Sequence, residues 1–293
     1  MKPQFSNLRA TIEDALDHHL PHTSPIAQSL VEAMRYAALG GGKRLRPMLT
    51  CATCTALGGK LEDALAPACA VEFLHAYSLV HDDLPAMDDD VLRHGMPSTH
   101  IKYGEAAAVL VGDALQALAF ETLAKAPAGS DAVRLRAVQL LTDAVGWQGM
   151  VAGQVFDLES EGKRLSMSDL QSLHSAKTGA LIGAAVQLGA LFGNPDLSSE
   201  TYVLLGEFSQ RLGLAFQVVD DVLDITQPTE VLGKPAGSDS AANKSTYPAL
   251  MGVEAAQNYA EELLDEALSL HARAGLEHNL LAELAVLAVQ REF

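Results

Sequence analysis

The sequence predicts an all-α fold, on three observations. Ala, Leu, Glu and Gln, all good helix formers, dominate every long segment. Runs of Val, Ile, Thr or aromatic residues with the two-residue period of strands are missing. The breaks between segments are short and marked by Gly and Pro, as antiparallel helices in a bundle require. A chain of 293 residues with 48% hydrophobic content can bury a large core. Nothing in the composition divides it, so residues 1–293 read as a single domain of about ten helices.

Taken in order, helical periodicity covers residues near 5–19, 25–39, 45–57, 61–82, 105–125, 131–146, 168–192, 199–226 and 254–273, with a short helix at the end. The breaks are Gly40-Gly41-Gly42, Gly58-Gly59, Pro85, Gly95-Met96-Pro97, Pro127-Ala128-Gly129, Asn194-Pro195 and Gln227-Pro228. One long irregular stretch, Gln227 to Pro248, reads as a functional loop because compact domains rarely carry such length idly. The longest apolar run, Gly179 to Leu191, is interrupted by Gln187 and rich in Gly and Ala. That pattern suits a close-packed core helix, so no transmembrane segment is expected.

The formal net charge of −17 repels nucleic acid and anionic lipid surfaces, which excludes a general polyanion-binding role. Only Cys51, Cys54 and Cys69 occur, too few for a disulfide framework, and the amino-terminal segment has no apolar signal core, so a cytoplasmic location is expected. The Cys51-Ala52-Thr53-Cys54 spacing has no second pair and lies in a helix, which makes both thiols core residues. His18, His19 and His22 read as surface, and Asp113 as a buried helix-packing acid.

Chemistry concentrates in two acidic clusters entered from apolar helices. In the first, Asp82, Asp83, Asp88, Asp89 and Asp90 place five carboxylates within nine residues. On an unbroken helix Asp82 and Asp88 would face different ways, since six residues advance roughly 600°. Pro85 pushes Leu84 out of the α region, so the helix should end near Asp83 and the chain should turn back, bringing Asp88 beside Asp82. The second cluster, 138 residues later, is Asp220-Asp221-Val222-Leu223-Asp224. Here Asp220 and Asp224 share one helix face at i and i+4, with Gln217 one turn earlier. Carboxylates on so apolar a helix must meet cations, because an unpaired buried charge costs several kcal/mol. Oxygen ligands without Cys or His suit a hard ion, and magnesium bridging to a phosphate is the usual arrangement.

Basic residues stand out against the acidic background: Lys43, Arg44 and Arg46 after the triple glycine, Arg93-His94-Gly95, Lys177-Thr178-Gly179, Gly233-Lys234 and Asn243-Lys244. Arg forks and Lys ammonium groups are the donors that hold phosphate oxygens. Gly-Gly-Gly-Lys-Arg is not a P-loop, since no strand precedes it and Arg44 stands where a magnesium-binding hydroxyl is needed.

The segments GGKRLRP, HDDLPAMDDDVLRHGMP, GQVFDL, KTG, FQVVDDVLD and GKPAGSDSAANKSTYP, in that order over about residues 35–250, resemble the motif set of the trans-isoprenyl diphosphate synthases, closest to the bacterial farnesyl diphosphate synthase type. The resemblance implies the isoprenoid synthase fold, a helical bundle around a central apolar cavity. It implies a homodimer using magnesium, three ions in number with manganese as the alternative, and the substrates isopentenyl diphosphate and an allylic diphosphate. By resemblance, Asp82 and Asp88 ligate ions on one side of the allylic diphosphate with Asp83 in support. Asp220 holds a further ion, and Asp221 and Asp224 complete its shell. Gln154 and Asp157 bind metal-bound water. Arg93, Lys177, Lys234 and Lys244 contact the allylic diphosphate, while the Thr178 carbonyl and Gln217 face the allylic cation. Lys43, Arg46 and His75 hold the diphosphate of isopentenyl diphosphate.

Tyr77 lies five residues before Asp82, about 7.5 Å along the helix axis. An aromatic there, with Ser78 beside it and the two-residue insertion around Pro85 and Ala86, resembles the enzymes whose tunnel is closed to give a C15 product. His94 departs from the family, which carries a second arginine at this isopentenyl diphosphate contact. Imidazole offers neither fixed charge nor a bidentate fork. Competing readings are a geranyl or geranylgeranyl diphosphate synthase, a class I terpene cyclase, or a silent subunit of a heteromeric synthase. The GGKRLRP segment and the intact acidic ligands speak against the last two.

Overall fold

The computed structural model describes residues 2–227, 244–276 and 279–290. Among them run α1 (Pro3–His19), α2 (Gln28–Leu39), α3 (Leu45–Ala56), α4 (Leu61–Asp82), α5 (Thr99–Tyr103), α6 (Glu105–Ala124), α7 (Asp131–Val145), α8 (Met150–Ser160) and α9 (Met167–His174). A π-helical turn, Ser175–Gly179, leads directly into α10 (Ala180–Gly193), followed by α11 (Ser199–Thr226), α12 (Tyr247–Met251), α13 (Val253–Arg273) and α14 (Leu280–Val289). The only sheet among the described residues is a hairpin of β1 (Leu92–Arg93) and β2 (Met96–Pro97), antiparallel, with Arg93 opposite Met96. The all-α expectation holds.

Local chemistry sets several helix starts. Ser130, Ser166 and Ser198 accept from the backbone N–H three residues on, at Val133, Asp169 and Thr201, and so cap α7, α9 and α11. The bundle is organised around α4 and α10, which are apolar on most faces. α4 packs on α3, α6 and α10; α10 also lies against α3, α7 and α11; α11 in turn packs along α13. A helix hydrophobic all round belongs in a protein interior. Gly189 explains the closeness of α10 to α3, since a Cβ there would meet the Thr50 carbonyl oxygen at 2.4 Å. By length and composition α6 and the span Met167–Gly193 are apolar enough to cross a membrane, but half of the latter's apolar window is buried against other helices. Cys51, Cys54 and Cys69 are buried free thiols, as expected of core residues.

The boundaries differ from the sequence reading in five places, the first being α5, which occupies residues left between helices. The expected helix 168–192 is interrupted by the π turn. α8 occupies residues left between helices, the hairpin follows the first acidic cluster, and α12 begins inside the stretch read as a loop. His18 and His22 are exposed and His19 is half-buried, whereas Asp113 is exposed rather than buried.

A buried ion cluster ties the amino-terminal half together. Arg44 adopts left-handed backbone, φ 53°, and turns inward from the basic run, 4% exposed. Its Nε donates to Glu13 Oε1 (2.8 Å), Nη1 to Glu72 Oε1 (2.6 Å) and Nη2 to the Ala38 carbonyl (2.9 Å), joining α1, α2 and α4.

Candidate active site

α4 ends at Asp82, where the sequence placed its end within a residue. Leu84, Pro85 and Met87 then form a tight turn, and the Asp88 N–H donates to the Asp82 carbonyl at 2.9 Å. Pro85 has therefore done what its ring dictates, folding Asp88 back beside Asp82. The two aspartates ending α4 face different ways, since neighbours on a helix are turned by about 100°. Asp82 lines a cavity of about 280 Å3; Asp83 is buried and accepts from Arg93 Nε at 2.9 Å. Arg93 also reaches Asp90 Oδ2 at 3.0 Å. Asp83, expected to support the metal ligands, also anchors Arg93.

Burial pushes the Asp82 carboxyl up to about 6, Lys177 opposes that rise, and Asp88 and Asp83 add to it. No hydrogen bond from a described residue reaches this carboxylate. Lys177 and Arg93 act on it from a distance without offsetting its burial, a condition that a divalent ion relieves.

Across the cavity, the π turn presents Lys177 and Thr178, and both line the same space as Asp82. π-helical bulges are rare and gather at functional sites. Lys177 Nζ pairs with Asp157 Oδ2 at 2.5 Å, and Lys244 Nζ bridges Asp157 Oδ2 and Asp88 Oδ1, each at 3.2 Å. Burial alone would raise Asp157, but the two ammonium groups outweigh it and hold the carboxyl below the usual range. For Lys244, Asp157 and Asp88 outweigh the opposing burial, so its ammonium form is reinforced. Asp157, expected to reach metal through water, is thus also the clamp between two lysines. Gln154 lines the cavity with both amide atoms buried and, among the described residues, without hydrogen-bond partners. A ligand-side hydrogen bond would satisfy them.

Gly153 permits the approach of α8 to the π turn. A Cβ there would lie 2.3 Å from the Lys177 backbone nitrogen and 2.5 Å from its Cα. Gly153→Ala is therefore expected to cost about 1–3 kcal/mol by overpacking. By shifting Lys177 it should also lower kcat roughly 10–100-fold. Thermal denaturation and steady-state kinetics on one preparation check both effects.

The second acidic cluster sits on α11. Asp220 is half-buried, while Asp221 and Asp224 are buried. Asp221 accepts from Gln217 Nε2 (3.0 Å) and from the Tyr247 backbone N–H (3.1 Å), so it latches α11 to the start of α12. Gln217 Oε1 accepts from Thr178 Oγ1 at 3.0 Å, which joins α11 to the π turn. The amide oxygen expected to face a cation is here engaged by that hydroxyl. Among the described residues no three acidic, Cys or His side chains converge on one point as a ready metal cage. Magnesium commonly takes one or two carboxylates and completes its shell with substrate phosphates and water, so the paired Asp82 and Asp88 fit that use.

A cationic cluster lies on the near side. Arg46 Nη1 stands 3.3 Å from His75 Nε2, and both line the cavity. Burial, then the charges of Arg46, Arg44 and Arg93, keep His75 well below its ordinary range, so it is a neutral acceptor for the guanidinium. Lys43 is exposed on the adjoining turn, and the His94 ring lies against Gly41 and Gly42. Tyr77 and Ser78 line the cavity together with apolar Met150, Val151, Val155 and Leu181. The Tyr77 ring meets His81 edge-on at 5.2 Å. Lys234 lies outside the described residues. The structure therefore brings Asp82, Arg46, His75, Tyr77, Ser78, Gln154, Lys177 and Thr178 to one cavity, with Asp88, Asp157 and Lys244 joined to it by ion pairs. Sequence reasoning missed the inward Arg44 with its partners Glu13 and Glu72, whose only signal was an isolated Glu inside an apolar helix.

Comparison with known proteins accords with this geometry. Residues 27–281 match the family described as polyprenyl synthetase. The farnesyl diphosphate synthase of Escherichia coli (strain K12) is 49% identical over 267 residues, covering 89% of this chain and 89% of that protein. The chloroplastic heterodimeric geranylgeranyl pyrophosphate synthase large subunit 1 of Arabidopsis thaliana is 47% identical, covering 87% of this chain and 70% of that protein. A geranyltransferase from Helicobacter pylori, solved in complex with magnesium and isoprenyl diphosphate, superimposes with a TM-score of 0.88 at 35% identity, over 99% of this chain and 97% of that one. With a match running from residue 27 to 281, and relatives nearly half identical along most of their length, the chain belongs to the polyprenyl synthetase family.

Proposed function

We propose that the chain, acting as one domain, condenses isopentenyl diphosphate with dimethylallyl or geranyl diphosphate, head to tail, to give farnesyl diphosphate and diphosphate. The observation that supports this most is a single cavity lined by Asp82, Lys177, Arg46 and His75 and also by Tyr77 and apolar side chains. Such a space suits an anionic head with a hydrocarbon tail. Asp82 and Asp88 on one side and Asp220 and Asp224 on the other would hold magnesium, in three ions with manganese as the alternative. Bound there, the metal supplies positive charge that stabilises diphosphate as a leaving group.

The chain's own residues do the rest. Arg93, Lys177 and Lys244, with Lys234, grip the allylic diphosphate, and Asp157 and Asp83 keep these cations aimed. Thr178 and Gln217 turn dipoles toward the allylic carbon as its C–O bond breaks with the electron pair leaving on diphosphate. Lys43, Arg46, His75 and His94 orient isopentenyl diphosphate so that its double bond attacks that carbon. The released diphosphate accepts the proton then lost. The Helicobacter pylori relative, solved with magnesium and isoprenyl diphosphate, supports the ligand pair. A second copy of the chain is a fitting partner, since Leu110 on α6, Leu135 on α7 and Trp147 before α8 are large apolar side chains left exposed. We place the enzyme in the cytoplasm.

Purified protein given magnesium, geranyl diphosphate and isopentenyl diphosphate should release diphosphate and yield a C15 prenyl diphosphate. Cyclised hydrocarbon without consumption of isopentenyl diphosphate would replace this reading with a cyclase, and inert substrates would replace it with a silent subunit. The similarity to a geranylgeranyl synthase makes a C20 product the second reading, and Tyr77 separates the two. Tyr77→Ala should lengthen the main product to C20 or beyond, read by chromatography. An unchanged C15 product would remove Tyr77 from the control of chain length.

A further inference from the structure

We infer that His94 is a proton-coupled anion contact, which takes up a proton as a diphosphate seats against Lys43, Arg46 and His75. The inference rests on the reading of that cluster as the isopentenyl diphosphate site.

The backbone aims this imidazole. His94 and Gly95 are the two central residues of the β1–β2 hairpin and both have positive φ, 53° and 76°, the signature of a tight primed turn. The turn carries the ring onto the glycine run ahead of α3. Gly41 and Gly42 adopt φ of 107° and 105°, and a Cβ on them would stand 3.6 Å from His94 Cβ and 3.3 Å from His94 Cε1. The imidazole thus lies on the backbone that leads straight into Lys43.

The charged groups acting on His94 are all cations. Arg93 precedes it on the hairpin, and Lys43 and Arg44 occupy the facing turn. Beyond them stands His75, on which His94 acts in turn, with Arg46 against it. The acids nearby are already engaged: Asp83 and Asp90 by Arg93, Glu13 and Glu72 by Arg44. Burial of part of the ring, then the Arg93, Arg44 and Lys43 charges, lower His94 to about 4, although the residue as a whole is exposed at the hairpin tip. At neutral pH the ring is uncharged. A multiply charged anion within a few ångströms reverses that balance and favours imidazolium. An arginine at this position would be charged with or without ligand and could exchange no proton.

The sign follows from linkage. The bound form has the higher pKa, so between about 4 and that higher value binding takes up proton from solvent. Affinity is then fully present at lower pH and declines as pH rises through the bound-state pKa, by as much as about tenfold per unit for one whole proton. Ionisation of the diphosphate itself contributes equally to wild type and variants and cancels between them.

Isothermal titration of isopentenyl diphosphate, at neutral pH in two buffers of unlike ionisation enthalpy, counts the protons. Wild type is compared with His94→Arg and with His94→Asn, a residue that tolerates the left-handed backbone. Wild type should take up more protons than either variant, by up to about one per site. His94→Arg should also bind more tightly than wild type at alkaline pH. Saturable binding with equal proton counts in all three proteins overturns the inference alone. Failure of the wild type to bind isopentenyl diphosphate overturns the reading of the site beneath it.

Discussion

Asp82→Asn is expected to abolish turnover, with kcat falling about 10³-fold or more at saturating magnesium, while the protein stays as stable as wild type or gains stability. The loss follows from the proposed function, in which the carboxylate is a metal ligand and electrostatic stabilisation of the leaving group is the main source of rate. Such a fall equals about 4 kcal/mol of transition-state stabilisation. The stability effect has the opposite sign for a local reason. Asp82 is desolvated, accepts no hydrogen bond from a described residue and is repelled by Asp88 and Asp83, and the attraction of Lys177 and Arg93 does not offset its burial. Removing its charge relieves the folded state, as expected where a site is kept for function at the expense of stability. Asp83→Asn, one residue on, should behave differently, since it breaks a buried pair with Arg93 and lowers stability. Kinetics and chemical denaturation on the two variants read both contrasts. Equal losses of stability in the pair would mean that the opposite placement of the two carboxylates is wrong.

Arg44→Met is expected to give the largest loss of stability, about 3–5 kcal/mol, the usual cost of stranding a buried charge. Arg44 and Glu72 have side chains 3% and 4% exposed, and the guanidinium is shared by Glu13, Glu72 and the Ala38 carbonyl. Without it Glu72 keeps a carboxylate in the core with no cation. Adding Glu72→Met should recover part of the loss, because an apolar pair of similar volume avoids the desolvation cost altogether. Urea unfolding of the two single variants and the double variant measures the coupling. Independent, additive losses would show that the pair is not the element that joins α1, α2 and α4.

The parts of the fold legible in the sequence are those where burial imposes a period. α1, α3, α4, α6, α7, α11 and α13 each have an apolar stripe or a wholly apolar course bounded by Gly, Pro or a capping Ser, and their limits fall close to those expected. What stayed hidden carries no such period. The π turn at Ser175–Gly179 inserts one residue into a helix without disturbing its apolar content. α8 is held by its contacts with the π turn and α9, and Gly153, which lowers helix propensity, is there for the Lys177 backbone. α12 is a single turn with Pro248 in its first positions, too short to show periodicity within a Gly- and Ser-rich stretch.

The site was legible where spacing alone decides orientation, and illegible where it depends on which way a neighbour turns. Pro85 announced the return of Asp88 to Asp82. Adjacent residues in a charged run, however, point about 100° apart on a helix. Asp83 therefore anchors Arg93, Asp221 latches Tyr247, and Arg44 turns inward between Lys43 and Arg46. No one-dimensional pattern separates these anchors from the residues that face the cavity. Asp157 is the clearest case, because its two lysine partners lie 20 and 87 residues away.

The central claim is that the acidic ends of α4 and α11 hold one diphosphate through divalent ions above the cavity that Tyr77 lines. Crystals grown with manganese and a non-hydrolysable thio analogue of geranyl diphosphate test it most directly, because anomalous scattering marks the ions and the analogue marks the tail. The account predicts manganese peaks at Asp82 with Asp88 and at Asp220, with the analogue's diphosphate between them and its prenyl chain running toward Tyr77. Manganese bound elsewhere, or a prenyl chain lying outside the cavity, would contradict it.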